Sequence, residues 1–428
     1  MIHYSLTRAI TWNIAGYLYL IIASLISIPI MVHSLGLTQF AQYSLIIAAI
    51  VLVSAINLGL PQAVTRSLAR DHADPERLNT IWATSSLLFV ATGIFAGFIA
   101  LALVSSLHLS ILTSAIVFAT VLLNNVVTHY ACLPYAHGHF GYYNVKTFVV
   151  GTGNTLLAAY LSCVGASILT ILSAQLASYV VTLAFLTYFS LKYFKRPRAL
   201  TPSRQSAQAL IAFGLKNQAG TLVGQVQGQY AKFLLSSLSP LSLSAYVVAQ
   251  GLVQKMAGGI TQVATALYPA SARGGKTEGL VRMYHALQLG LFGLGLFGVV
   301  IYHFIGFPFL TWWLKSSELV AVVDTIMQIF VWYFAILVLS PLASSILDGR
   351  GRPELTSLIA FITTAIEITL ALLLFPHYGL MAPVYAALIA ITLMTPVLLY
   401  LAEKVLLSAN PPDIIAKPTL QRPVLRLE

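Results

Sequence analysis

The sequence predicts an all-α, polytopic membrane protein, with twelve transmembrane helices in two parallel six-helix repeats around a central cavity. Three observations carry this reading: a composition too poor in charge for water, twelve apolar stretches of membrane-crossing length, and cations that alternate across them. The 428 residues are 58% apolar and 8% charged, with a mean hydropathy of +0.86. A soluble domain carries about 25% charged residues, and a third of that cannot coat a water-facing surface. A soluble enzyme and a disordered chain are both excluded. The formal charge of +11 would suggest nucleic acid in a soluble protein. Here the cations sit in short loops between apolar stretches, so orientation in the lipid bilayer accounts for them and no nucleic-acid partner is expected.

The stretches lie near 10–33, 41–62, 80–104, 111–135, 144–164, 168–191, 209–236, 241–268, 283–310, 319–346, 355–375 and 380–402. Each can span the roughly 30 Å hydrocarbon layer as a helix. Pro29, Pro61, Pro269, Pro341 and Pro396 fall within or at the ends of these stretches, which membrane helices tolerate. The first stretch follows a single cation, Arg8, and shows no small-residue cleavage site, so it is read as a span and not a removed leader. Cys132 and Cys163 offer neither a disulfide framework nor a metal cluster.

Threading the chain through twelve spans sorts its 23 cations: 19 fall on one side, Lys315 alone on the other, and Lys216, Lys232 and Lys255 lie within spans. The basic side includes Arg66, Arg70, Lys146, the run Lys192 to Arg204, Arg273, Arg350 and Arg352. Short basic loops face the cytoplasm, so both termini are expected there, in a multi-pass protein of the bacterial inner membrane.

The chain also echoes itself. Asn13-Ile14-Ala15-Gly16-Tyr17-Leu18 opens the first span, and Asn217-Gln218-Ala219-Gly220-Thr221-Leu222 opens the seventh, 204 residues later. Ala69-Arg70 and Ala272-Arg273 close the second and eighth spans, 203 residues apart. Six spans per repeat is an even number, so the halves share one orientation and are related by an axis along the membrane normal. The expected organisation is an N-terminal bundle at 1–191, a basic linker at 192–208, a C-terminal bundle at 209–404 and a tail at 405–428.

The segment Pro29-Ile30-Met31-Val32-His33-Ser34-Leu35-Gly36-Leu37 is followed by Phe40-Ala41-Gln42-Tyr43-Ser44-Leu45 and by Asn57-Leu58-Gly59-Leu60-Pro61 with Arg66. Together they resemble the opening of polysaccharide-exporter flippases, the O-antigen (Wzx-type) proteins of the multidrug/oligosaccharidyl-lipid/polysaccharide (MOP) exporter superfamily. Asp348-Gly349-Arg350-Gly351-Arg352-Pro353 and His377-Tyr378-Gly379-Leu380-Met381-Ala382 extend the likeness to nearly the whole chain. The resemblance implies a MATE-like fold and a flippase that turns an undecaprenyl-diphosphate-linked oligosaccharide from the cytoplasmic to the periplasmic leaflet, for O-antigen or another surface polysaccharide. It implies no cofactor. H⁺ or Na⁺ is the candidate coupling ion, and a polysaccharide polymerase and glycosyltransferases are candidate partners.

The physical problem is plain. Taking one unpaired hydroxyl from water into alkane costs about 4–8 kcal/mol, so a sugar head group needs a polar, cationic passage. Gln218, Gln225, Gln229 and Lys232 recur at i, i+7, i+11 and i+14 on the seventh span, within about 60° of one face. They read as a cavity wall for sugar and phosphate, or as helix–helix glue. Lys255, near the middle of the eighth span, reads as a diphosphate anchor or as the partner of Glu367. A mid-bilayer charge costs about 2.5–3.5 kcal/mol by insertion scales. Lys216 reaches the cavity mouth or the interface, and Lys232 is placed to snorkel. Arg66, Arg70 and Arg273 either mark the inner face or receive the diphosphate with guanidinium forks. Asn13 and Asn217 are matched candidates for hydrogen bonds in the cavity. Glu367 reads as the sole acid well inside a span, hence an ion-coupling group or a counter-ion. The N-terminal half is expected to hold no intramembrane charge.

Ala270 to Thr277 fits a loosened phosphate-loop pattern but lacks the strand-to-helix setting such a loop needs, so ATP binding is not expected. A drug/cation antiporter would call for cavity acids, whereas three intramembrane lysines face one glutamate. A membrane enzyme acting on lipid-linked sugar would need a constellation of acids or a nucleophile–base pair, and the short outer loops supply none.

Overall fold

The computed structural model describes residues 2–70, 74–193, 201–264 and 278–407. Among the described residues there is no strand, and twelve long helical segments cross the molecule. The first helix, Ile2–Ser54, is broken by Gly36 (φ 72°, ψ 167°). Only a residue without a Cβ takes that backbone cheaply. This gives α1 (2–35) and α2 (37–54), the latter resuming as Leu60–Arg70 after a break at 55–59. Next come α3 (Pro75–Leu103), α4 (Ile111–Ala136), α5 (140–163, with a π turn at Gly153–Leu157) and α6 (Ile168–Tyr193). The second half holds α7 (Arg204–Leu235), α8 (Pro240–Ala264), α9 (278–314, with a π turn at Tyr302–Gly306) and α10 (Ser317–Leu337 continued by Ser340–Gly349). It ends with α11 (Pro353–Tyr378) and α12 (Ala382–Leu407).

Local chemistry sets the ends. At α3, the Asp74 carboxylate accepts from the Glu76 and Arg77 N–H groups at 3.1 Å each, with Pro75 in the first turn. Ser110 caps α4 through Thr113 N at 3.2 Å. Such caps satisfy N–H groups that the helix itself cannot.

The outer surface is apolar. Phe95, Phe98, Leu289, Phe297 and Leu373 stand 59–72% exposed, far beyond what water tolerates as a continuous surface. Inside each half, α3 packs on α4, α4 on α6, α8 on α10 and α11 on α12. The halves meet where α1 and α2 lie against α7 and α8. Trp313 donates its indole N–H to the Leu25 carbonyl at 2.7 Å, and the Ser244 hydroxyl donates to the Leu37 carbonyl at 3.2 Å. At the basic end the Ser203 N–H donates to Thr84 Oγ1 at 3.0 Å.

Two readings of the sequence are corrected. Lys146 is not a loop cation: the turn at 137–139 starts α5 at Phe140, and the Lys146 ammonium donates to Thr128 Oγ1 of α4 at 2.6 Å. The N-terminal half therefore does hold an intramembrane charge. Nor is Glu367 the sole acid within a span. Asp324 lies about 10 Å along α10 at 1.5 Å per residue, accepting from the Tyr302 hydroxyl at 2.6 Å and the Gln328 amide at 2.9 Å.

Candidate functional site

Glu367 sits near the middle of α11 and is 4% exposed. It does not pair with Lys255: among the described residues no ion pair joins them. Its carboxylate instead accepts from the Gln227 side-chain amide at 2.7 Å and from the Tyr230 hydroxyl at 3.1 Å, both on α7. A bilayer-buried carboxylate is costly unless it is hydrogen-bonded, and these two donors supply one bond to each of its oxygens. Gln227 and Glu367 also line a cavity of about 220 Å³ within the C-terminal half, with Tyr246, Gln250 and Gln254 of α8 and Tyr333 of α10. Gln250 donates to the Gly228 carbonyl at 3.2 Å, fixing α8 against α7. Sequence spacing missed Gln227 and Tyr230, because both fall off the glutamine stripe and their partner lies 140 and 137 residues away.

The stripe itself divides. Gln218 is buried at the seam between halves, where its Nε2 donates to the Ala55 carbonyl and its Oε1 accepts from the Gly59 N–H at 2.5 Å. Both ends of that amide are used by the break in α2. Gln229 is buried and accepts from the Lys232 ammonium at 2.8 Å, one turn along the same helix. Gln225 is half-buried.

Backbones come unusually close beside Gln218. Gly59 (φ 64°) meets the backbone of Gly214, and a Cβ on either would overlap the other strand of chain. Next to this contact the exposed Arg66 guanidinium lies over the Phe213 ring, 4.4 Å from its centroid. Arg70 is exposed at the end of α2. Lys255 is half-buried on α8, and its backbone carbonyl accepts from the Tyr17 hydroxyl of α1 at 2.6 Å. It therefore lies at the seam between the halves, apart from the Glu367 carboxylate. The side chains of Asn13, Lys216 and Asn217, and all of Arg273 and Ala270 to Thr277, lie outside the described residues, as does much of the linker and the tail.

The N-terminal half has its own polar core. The fully buried His129 ring shares a hydrogen bond with Ser85 Oγ at 2.8 Å and lies 3.9 Å from the Trp82 ring, centroid to centroid. Asn124 donates to Ser54 Oγ at 2.8 Å, tying α4 to the end of the first limb of α2.

This architecture matches solved transporters over nearly the whole chain. A multidrug resistance MATE family transporter of the MOP superfamily in an inward-facing conformation is 17% identical, with 92% of this chain and 94% of that chain covered and a TM-score of 0.70. The outward-facing conformation of a multidrug resistance MATE family transporter gives 17% identity, 90% and 95% coverage and a TM-score of 0.58. A MOP superfamily transporter from Pyrococcus furiosus, described as having a binding pocket of reversed polarity, gives 16%, 94% and 94%, and 0.64. None of the curated proteins matches the chain. The likeness to these transporters shows a shared all-helical fold. Residues 6–274 match the model of the family described as polysaccharide biosynthesis protein, and the chain belongs to that family.

Proposed function

We propose that this transporter is a flippase for an undecaprenyl-diphosphate-linked oligosaccharide. It carries the head group from the cytoplasmic to the periplasmic leaflet of a bacterial inner membrane by alternating access between the halves 1–191 and 209–404. Both termini face the cytoplasm, and the product feeds O-antigen or another surface polymer. Lys255 carries the reading. It is a cation deep in a span, at the seam where the halves must part, with no carboxylate pairing it among the described residues. An anionic diphosphate is the group such a cation suits, and hydroxyl-rich sugars suit the amides around it.

Family membership supports a role in polysaccharide synthesis. Charge balance supports an anionic substrate over a cationic drug. Even with Lys146 and Asp324 counted inside spans, lysines at 146, 216, 232 and 255 outnumber the acids 324 and 367. Arg66, Arg70 and Arg273 would receive the diphosphate at the basic face, and Lys216, Asn13 and Asn217 would line its entry. Glu367 is the coupling group for H⁺ or Na⁺. A polysaccharide polymerase and glycosyltransferases are the partners this role calls for. Deleting the gene in its host tests the proposal. Lipid-linked oligosaccharide should accumulate out of reach of a membrane-impermeant sugar-oxidising reagent, and the wild-type gene should restore access. Unchanged polymer export in the deletion strain would contradict it.

A further inference from the structure

Beyond the Glu367 cavity lies a second one of about 170 Å³, and the two share Gln227, Tyr333 and Leu337 as common wall. The second cavity runs toward the end of the bundle that carries Arg350 and Arg352. Besides the shared Gln227 and Tyr333, its polar lining is hydroxyl: Ser340 and Ser344 of α10, Thr356 and Thr363 of α11, and Thr395 of α12. Thr356, Thr363 and Glu367 stand at i, i+7 and i+11, so they share one face of α11 within about 40°. At the basic end Thr356 donates to the Asp348 carboxylate at 2.8 Å. Midway, the Ser340 and Thr395 hydroxyls, both lining the cavity, share a hydrogen bond at 3.4 Å. The Thr363 hydroxyl donates to its own helix, to the Ile359 carbonyl at 2.7 Å, which leaves its oxygen able to accept. Apolar packing would have closed this space with leucines and valines. Instead a carboxylate stands at each end, and the lining gives water the two to four polar partners it needs.

We propose that the two adjoining cavities form a proton path through the C-terminal half, connecting Glu367 with the basic face by water held between these hydroxyls and past the shared Gln227 and Tyr333. This rests on reading Glu367 as the coupling group. The step is a proton relay. A hydronium at the Asp348 mouth gives up a proton, each water or hydroxyl along the path accepts one and passes one on, and the Glu367 carboxylate becomes a carboxylic acid. No electrons move and no other bond changes. The titratable groups around Glu367 are Tyr230 of α7, Tyr246 of α8 and Tyr333 of α10. Both carboxylate oxygens already accept from an N–H or O–H donor. Donors repel a metal cation, which needs several oxygen ligands turned toward it, whereas a proton needs only one free lone pair.

The test is directional thiol labelling of the full-length protein in liposomes, in a Cys132→Ala, Cys163→Ser background. Ser344→Cys, Thr363→Cys and Thr395→Cys are each treated with a small, charged, membrane-impermeant methanethiosulfonate reagent from one face at a time. Ala371→Cys, fully buried on α11 beyond Glu367, is the sealed control. A monodisperse size-exclusion profile qualifies each variant, and three positions guard against one failing to fold. Labelling of all three from the basic face, and from that face alone, is expected. No labelling, or equal labelling from both faces, would overturn the path. Glu367→Gln is measured separately, for loss of stimulation by a pH gradient. Labelled cysteines with unchanged stimulation in Glu367→Gln would keep the water path and overturn its use by protons.

Discussion

Gln218 of α7 and Gly59 of α2 are tied across the seam between the halves by one side-chain amide. The Gly59 N–H donates to Gln218 Oε1 at 2.5 Å, and the other end of the same amide donates to the Ala55 carbonyl. The pair spans a break in α2 where the Gly59 N–H, shared with Asn57 Oδ1 at 3.1 Å, and the Ala55 carbonyl both take this amide as a partner, so one side chain from α7 bridges a helix break of the opposite half. Gln218→Leu keeps the volume and removes the bonds. Each buried group left unpaired costs about 1–3 kcal/mol. A lowered midpoint in a thermal unfolding scan of the detergent-purified protein is expected, and an unchanged midpoint would show that the seam does not depend on this amide.

Gly214 permits the same contact by having no side chain. A Cβ there would overlap the Leu58 carbonyl oxygen, and this neighbour is backbone and cannot swing aside. Gly214→Ala should separate α7 from α2 and lower transport as well as stability. Gly224→Ala, with open space around its Cβ position on the wall of the Glu367 cavity, should leave stability near wild type or slightly raise it, since alanine favours helix by about 1 kcal/mol over glycine. Similar behaviour of the two variants would contradict the close approach.

Glu367 separates a structural from a coupling role by choice of substitution. Glu367→Ala removes the acceptor of both Gln227 and Tyr230, and two buried donors left without partners should cost about 1–3 kcal/mol each. Glu367→Gln keeps one carbonyl acceptor and abolishes titration. It should fold with a smaller loss yet transport at a rate indifferent to pH. A Gln variant as pH-responsive as the wild type would assign Glu367 to packing alone.

Tyr17 reads the other side of the seam. Its hydroxyl donates to the Lys255 carbonyl at 2.6 Å, and its ring fills the space that a Cβ on Gly258 would need. Tyr17→Phe loses one bond to backbone, worth about 0.5–1.5 kcal/mol, while Gly258→Ala forces the ring aside. The expected order of thermal midpoints is wild type, then Tyr17→Phe, then Gly258→Ala.

Spans were legible in the sequence because lipid demands them: each apolar stretch reappears as a helix, and Gly36 breaks the chain where hydropathy dips between the first two. Pairings inside the bilayer were less legible. The spacing of Gln218, Gln225, Gln229 and Lys232 fixed a face of α7 without saying what that face meets, and Gln218 meets backbone of the other half. Gln227 stood outside the stripe, yet it holds the buried acid, since its partner is set by how α7 and α11 pack. Lys146 misled because it is the third residue of the stretch 144–164 and reads with the basic end, whereas α5 begins at Phe140 and carries its ammonium inside against Thr128. Asp324 escaped the reading that left Glu367 as the sole acid well inside a span, although Tyr302 and Gln328 make a site for it within α10.

The central claim is movement of an anionic, sugar-bearing head group past Lys255. It is tested most directly by reconstituting the purified protein in liposomes with a fluorescent undecaprenyl-diphosphate oligosaccharide. The fraction of head groups that a membrane-impermeant quencher reaches is then followed for wild type and Lys255→Ala. Protein-dependent flipping that is lost in Lys255→Ala is the predicted result. Absence of flipping for every lipid-linked oligosaccharide tried, with export of a small organic cation by the same liposomes, would contradict it.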